Sequence, residues 1–109
     1  TQMFYDNSIF FEFEKKCREI EITIPIIPGL KIVTSKNNLT TLPRTFHVDL
    51  PKELSDELVE AKPEHIEEIG VNWAAKQLEE LLNSNVPAVH FYIMQNSRPI
   101  TRLMEKMGI

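Results

Sequence analysis

Three histidines, one cysteine and a scatter of carboxylates are the residues of this 109-residue chain best suited to chemistry. Zinc sites on a single helix or hairpin place histidines three to five residues apart, whereas His47, His65 and His90 stand far from one another with no Cys or acidic cluster beside them. The pattern does not describe a metal site. Cys17 falls on an apolar helical stripe, where a thiol behaves as a small hydrophobe, and no His stands beside it to serve as the base of a nucleophile. His65, between acids at a helix start, reads as a surface residue. His90, in the middle of an apolar run, reads as hydrogen-bonded within the packing. Asp49 and the acids from Glu53 to Glu60 read as the polar face of a helix rather than as a catalytic pair. Spacing alone therefore supplies no catalytic motif.

The elements that would position a site are clearer. Ile22 to Leu30, Ile-Thr-Ile-Pro-Ile-Ile-Pro-Gly-Leu, has the β-branched content of a strand buried on both faces, ended by Pro28-Gly29. Before it, Met3 to Tyr5 reads as the end of another strand. Asp6, Asn7 or Ser8 can then cap a helix whose inward stripe is Ile9, Phe10, Phe13, Cys17 and Ile20, with Glu12–Lys16 and Glu14–Arg18 as pairs four apart. After it, Thr34-Ser35 caps a short helical segment over 36–42 that Pro43 stops, and residues 45–50 alternate as an extended piece. Pro51 to Glu60 predicts a helix with Leu54 and Leu58 inward and Val59 at the margin. Pro63 opens the longest helix, reaching Asn83 to Asn85, with Ile66, Ile69, Trp73, Leu78, Leu81 and Leu82 inward and Gly70 and Ala74 allowing close approach. Val86 to Met94 is a further strand. Asn96 or Ser97 caps a last helix with Ile100, Leu103, Met104 and Met107 inward. Strands alternating with helices predict an α/β chain with parallel strands, in which ligands gather at the strands' carboxyl ends.

Composition bounds the classes. Apolar residues make up 42% and charged residues 26%, so a folded single domain is expected rather than disorder. The net charge of −4 and the lack of a basic run exclude a phosphate-backbone track, so nucleic acid is not an expected partner. No apolar run approaches the roughly 18 residues of a membrane span. With one cysteine and no basic-then-apolar leader pattern, the chain reads as cytoplasmic.

Three words then stand out together: Thr-Gln-Met-Phe-Tyr-Asp at 1–6, Pro-Ile-Ile-Pro-Gly-Leu at 25–30 and His-Phe-Tyr at 90–92. In order and spacing, with the helices between them, the chain resembles the methylenetetrahydrofolate reductase family, flavoproteins built on a (β/α)8 barrel. The resemblance covers essentially all of the chain and fits about strands six to eight. It implies a partial barrel of about three parallel strands with flanking helices, not closed within residues 1–109, treated as a single C-terminal segment.

The same resemblance implies the site. The family uses NAD(P)H and FAD to reduce 5,10-methylenetetrahydrofolate to 5-methyltetrahydrofolate. Gln2 matches the glutamine over the flavin, Leu42 the apolar position against folate or cofactor rings, and Tyr92 the aromatic residue lining the same cleft. Where some members carry a basic residue that meets the folate glutamate, this chain reads Met94-Gln95-Asn96. The family's proton-transfer acid and nearly all its FAD contacts match no residue here, so no catalytic residue is assigned and the segment alone is not expected to retain FAD or to be active. Uncovered sheet edges predict a homo-oligomer. The competing reading is a non-catalytic α/β module for self-association or protein binding.

Overall fold

The computed structural model describes residues 1–109. In chain order it contains α1 (Asn7–Glu19), β1 (Gly29–Leu30), α2 (Asn38–Phe46), α3 (Lys52–Glu60), a 3-10 turn (Pro63–His65), α4 (Ile66–Asn83), β2 (His90–Phe91) and α5 (Arg98–Met107). The chain is thus α/β, with a small open parallel sheet.

Asp6 starts α1: its backbone is extended and its carboxylate accepts from the Ser8 amide at 2.9 Å, satisfying one of the orphan donors at the helix start. Phe10 and Cys17 are buried on the side facing Leu30 and Leu81. The rest of the expected stripe is not covered, since Ile9, Phe13 and Ile20 are 46, 51 and 71% exposed. One flank of the helix has a neighbour and the other has none. The expected Glu12–Lys16 and Glu14–Arg18 pairs do not form either. Arg18 instead donates to the carbonyls of Ile22 and Ile24, each at 2.8 Å, and so holds the returning chain.

That returning chain overturns the strongest strand expectation. Residues 22–28 form no strand, and Ile22, Ile24 and Ile27 are exposed while Ile26 is buried. Pro25 and Pro28 each lack an N–H for a ladder, and without sheet neighbours the β-branched side chains have nothing to pack against. Pro28-Gly29 opens the strand instead of ending it. β1 pairs in parallel with β2, in register Gly29 with His90 and Leu30 with Phe91, and Met3 makes a single parallel bridge to Gly29. The spatial order is Met3, β1, β2. Of the expected strand over 86–94 only His90 and Phe91 are strand, Pro87 again removing a donor.

Pro43 does not stop a helix; it lies inside α2, which runs on through Thr45 and Phe46. The proline deprives α2 of one hydrogen bond, to the Leu39 carbonyl, and the helix ends only where His47 turns left-handed at φ 55°. The extended piece expected over 45–50 is therefore absent. The turn before α2 is closed by Asn38, whose side-chain oxygen accepts from the amides of Thr34 at 2.9 Å and Ser35 at 3.3 Å. In α3 Leu54 and Leu58 are fully buried and Val59 faces solvent.

α4 is the longest element, 18 residues, and packs against α1, α3 and α5. Ile66, Leu78 and Leu81 are buried as its stripe predicts and Ile69 and Trp73 are half-buried, while Leu82 is exposed. Gly70 is the point of closest approach: a Cβ there would stand 1.9 Å from the Val33 carbonyl oxygen. Replacing a helical glycine by alanine ordinarily stabilises by up to about 1 kcal/mol. Here the collision is with main chain, so we expect Gly70→Ala to destabilise by roughly 2 kcal/mol or more. Urea denaturation of the two proteins checks this, and a higher midpoint for the variant would mean that α4 does not rest on Val33.

Candidate functional site at the strand ends

The three strand segments meet in a knot of main-chain contacts around Thr1. The Thr1 nitrogen donates to the Ile27 carbonyl at 2.7 Å, the Gly29 amide donates to the Thr1 hydroxyl at 3.0 Å, and the Tyr92 hydroxyl donates to the Thr1 carbonyl at 2.6 Å. Gly29 is needed for closeness rather than for its dihedral: a Cβ would come within 2.6 Å of the Thr1 oxygen and 2.7 Å of the Tyr92 ring. The outcome is that Tyr92 binds the peptide immediately before Gln2. Two of the three expected site residues are thereby brought together.

Gln2 is exposed, and its side-chain oxygen accepts from the Met3 amide at 3.1 Å, which leaves the carboxamide N–H groups free to donate. Beside it lies a hollow of about 360 Å³, walled by Ile9, Phe13 and Val48 with His47 and Asp49 on the polar side. Leu42 is elsewhere: at 1% exposure it belongs to the core cluster of Met3, Tyr5, Val33 and Val48, against which Tyr92 packs. It supports the site from beneath and presents no free face to a ring.

A second hollow, of about 370 Å³, opens past the ends of β1 and β2 between Lys31, Tyr92, Gln95, Asn96 and Arg98. Partial burial lowers the Lys31 pKa. On its wall Glu67, with a side chain 14% exposed, receives Arg98 at 3.1 Å and Arg102 at 2.5 Å. Sequence reasoning missed this cluster because the partners are 31 and 35 residues away. The available signal was Arg98 and Arg102 four apart, which puts two guanidinium groups on one helix face.

The histidines do not converge, and no group of His, Cys, Asp and Glu is arranged to hold a metal ion. His90 sits at the start of β2, exposed, its ring edge-on to Tyr92 at 4.7 Å; its side chain packs without the hydrogen bond expected of it. His65 is exposed and Cys17 is buried, as read from the sequence.

Burial pushes the Glu67 carboxyl upward, but the hydrogen bonds and charges of Arg98 and Arg102 outweigh it and hold the group below its ordinary value. A depressed folded-state pKa contributes stability that is present above the unfolded value and is lost as pH falls through the folded one. Wild type should therefore exceed Glu67→Gln in stability at neutral pH, and the gap should narrow steadily below about pH 4, near the ordinary glutamate value. Denaturation midpoints of both proteins between neutral and acid pH check this; a gap that does not change with pH would contradict it.

The family model described as methylenetetrahydrofolate reductase matches residues 1–108. Among curated relatives, a probable methylenetetrahydrofolate reductase (NADPH) of Caenorhabditis elegans is 27% identical over 112 residues, covering 100% of this chain and 17% of that protein. Methylenetetrahydrofolate reductase (NADH) 1 of Arabidopsis thaliana is 24% identical over 111 residues, and methylenetetrahydrofolate reductase 2 of Saccharomyces cerevisiae 27% over 112, each covering 100% of this chain and 19% of the relative. The chain spans less than a fifth of the length of these relatives. With a family match running almost from end to end, over strand segments that adjoin in chain order, the chain belongs to the methylenetetrahydrofolate reductase family.

Proposed function

We propose that this chain is a C-terminal portion, about strands six to eight, of a cytoplasmic (β/α)8 reductase that uses NAD(P)H and FAD to reduce 5,10-methylenetetrahydrofolate to 5-methyltetrahydrofolate. Its contribution is part of the folate and nicotinamide face. The observation that carries this reading is the parallel order Met3, β1, β2 within the family match, which is the order of consecutive barrel strands. Gln2 offers free amide donors to the edge of a heterocycle beside an apolar wall. Tyr92 fixes the Gln2 backbone, and Leu42 backs the packing beneath.

The residues present do not fit FAD by themselves. A dinucleotide's pyrophosphate is usually held by a glycine-rich loop opening a helix, whereas Gly29 lies in β1, Gly70 inside α4 and Gly108 after α5. No step of hydride transfer is assigned to a side chain of this segment. The test is a chimera in which residues 1–108 replace the matching segment of the Saccharomyces relative. It should oxidise NAD(P)H with methylenetetrahydrofolate present, and Gln2→Leu within it should lower kcat/KM by about tenfold or more, some 1.4 kcal/mol of transition-state stabilisation. A folded, flavin-loaded chimera with no turnover, or one indifferent to Gln2→Leu, would sink the reading.

A second reading, a self-associating α/β module, draws on a separate observation. Ile9, Phe13, Ile20, Ile24 and Ile27 are all exposed, and the sheet is open on both sides. On either reading the isolated chain is expected to form homo-oligomers and to leave gel filtration without stoichiometric flavin. Light scattering with flavin absorbance measures both, and a compact colourless monomer at high concentration would count against the association.

A further inference from the structure

The two buried polar residues of the chain, Asn7 at the start of α1 and Gln77 on the inward side of α4, face each other. An apolar side chain at either place would avoid the cost of burying an amide. A hydrogen-bonded polar pair in a core adds what apolar packing lacks, directional contacts that fix one arrangement of the segments it joins. The Gln77 carboxamide donates to the Phe4 carbonyl at 3.1 Å and to the Asn7 side-chain oxygen at 3.0 Å, across 73 and 70 residues of chain. Phe4 follows closely on Gln2, and Asn7 begins the helix whose Ile9 and Phe13 wall the hollow beside Gln2. On the other side of Gln2 the contacts of Thr1 are exposed or only partly covered, and water competes there for the same groups.

We infer that Gln77 is a positioning residue for Gln2. One carboxamide holds both the segment that carries the Gln2 amide and the helix that carries the apolar wall, and so sets the spacing between that donor and the surface against which a heterocycle lies. Asn7 is its counterpart. Trp73, one turn earlier on α4, holds the Tyr5 carbonyl in the same manner at 2.8 Å, so successive peptides after Met3 are tied to one helix. Gln77 is buried and touches no ligand; it acts through the main chain and through α1. The inference rests on the reductase reading, in which Gln2 meets the ring.

Two measurements test it. In the isotope-labelled 109-residue chain the Met3 amide, which donates to the Gln2 side-chain oxygen, reports local order without any ligand. Gln77→Met should speed its hydrogen exchange by about tenfold or more while the amides of α3 and α5 keep their protection. In the flavin-loaded chimera, Gln77→Met should lower kcat/KM by about tenfold when Gln2 is present and by less than about twofold in the Gln2→Leu background. Glu79→Gln, on the exposed side of α4, should change neither readout. If Gln77→Met does not fold, Trp73→Phe, which keeps a ring and removes the indole donor, takes its place with the same expectations. Equal losses in both backgrounds, or unchanged exchange at Met3, would mean that the pair serves stability alone and would overturn the inference. A fully active Gln2→Leu chimera would instead remove the reductase reading, and this inference with it.

Discussion

The carbonyls of Phe4 and Tyr5 lie beyond the single bridge that Met3 makes to the sheet, and side chains of α4 take them up. The Gln77 carboxamide donates to Phe4 at 3.1 Å and the Trp73 indole to Tyr5 at 2.8 Å. Gln77 also donates to the Asn7 side chain at 3.0 Å, and Asn7 returns a bond to the Gln77 carbonyl at 3.1 Å and another to Glu80 at 2.8 Å. Buried polar groups that are left unmatched cost about 1–3 kcal/mol each, so this row decides where the first segment lies. Because residues 4 to 7 are pinned to α4, Met3 reaches Gly29, and Gln2 is delivered beside Tyr92.

The same helix organises the rest. Gly70 admits the Val33 backbone, Glu67 ties down α5 through two arginines, and Leu81 closes the cluster beneath α1. The candidate site is thus less a product of the sheet than of one helix that sets the spacing of three chain segments. The arrangement has one unmet demand. The Tyr5 hydroxyl is buried without a partner, and burial pushes its pKa far above the ordinary tyrosine value, so the group stays neutral in the core. Its ring fills space between Met3, Leu42 and Ile66, and the packing outweighs an unbonded hydroxyl.

Helices were far more legible than strands, for a physical reason. Asp6, Pro63 and Pro99 mark helix starts through local geometry, and Leu54, Leu58, Ile66 and Leu103 repeat with a period that needs only one apolar neighbour. A strand is made by its partners. Ile22 to Ile27 has strand composition but no ladder donors at its prolines and no sheet on either face, so composition misleads there. Pro43 misleads in the opposite direction, because a nine-residue helix can forgo one bond when its apolar face, Leu42 above all, is held by the core. Gln2 and Tyr92 were singled out through family resemblance alone, and nothing in local pattern foretold that Tyr92 would bind the Thr1 carbonyl 91 residues away. Glu67 and Lys31 lay beyond reach, since their character depends on which neighbours the fold brings or withholds.

That dependence also explains the surface. β1 is the middle of three parallel segments and has both neighbours, while Met3 and β2 each present an outer edge with no pairing. Beside the Met3 edge stand Ile9 and Phe13, about half exposed, along with an apolar hollow. An unpaired edge and an uncovered apolar helix flank thus lie on the same side of the sheet. Burying such side chains contributes about 25 cal/mol per Å², which a solitary chain forgoes. The stability of these 109 residues therefore comes chiefly from the packing held by α4, and little from the exposed apolar flank of α1. Gln2 lies on that open side, where its free amide N–H groups stand beside the exposed Ile9 and Phe13 rather than within the packing that α4 holds.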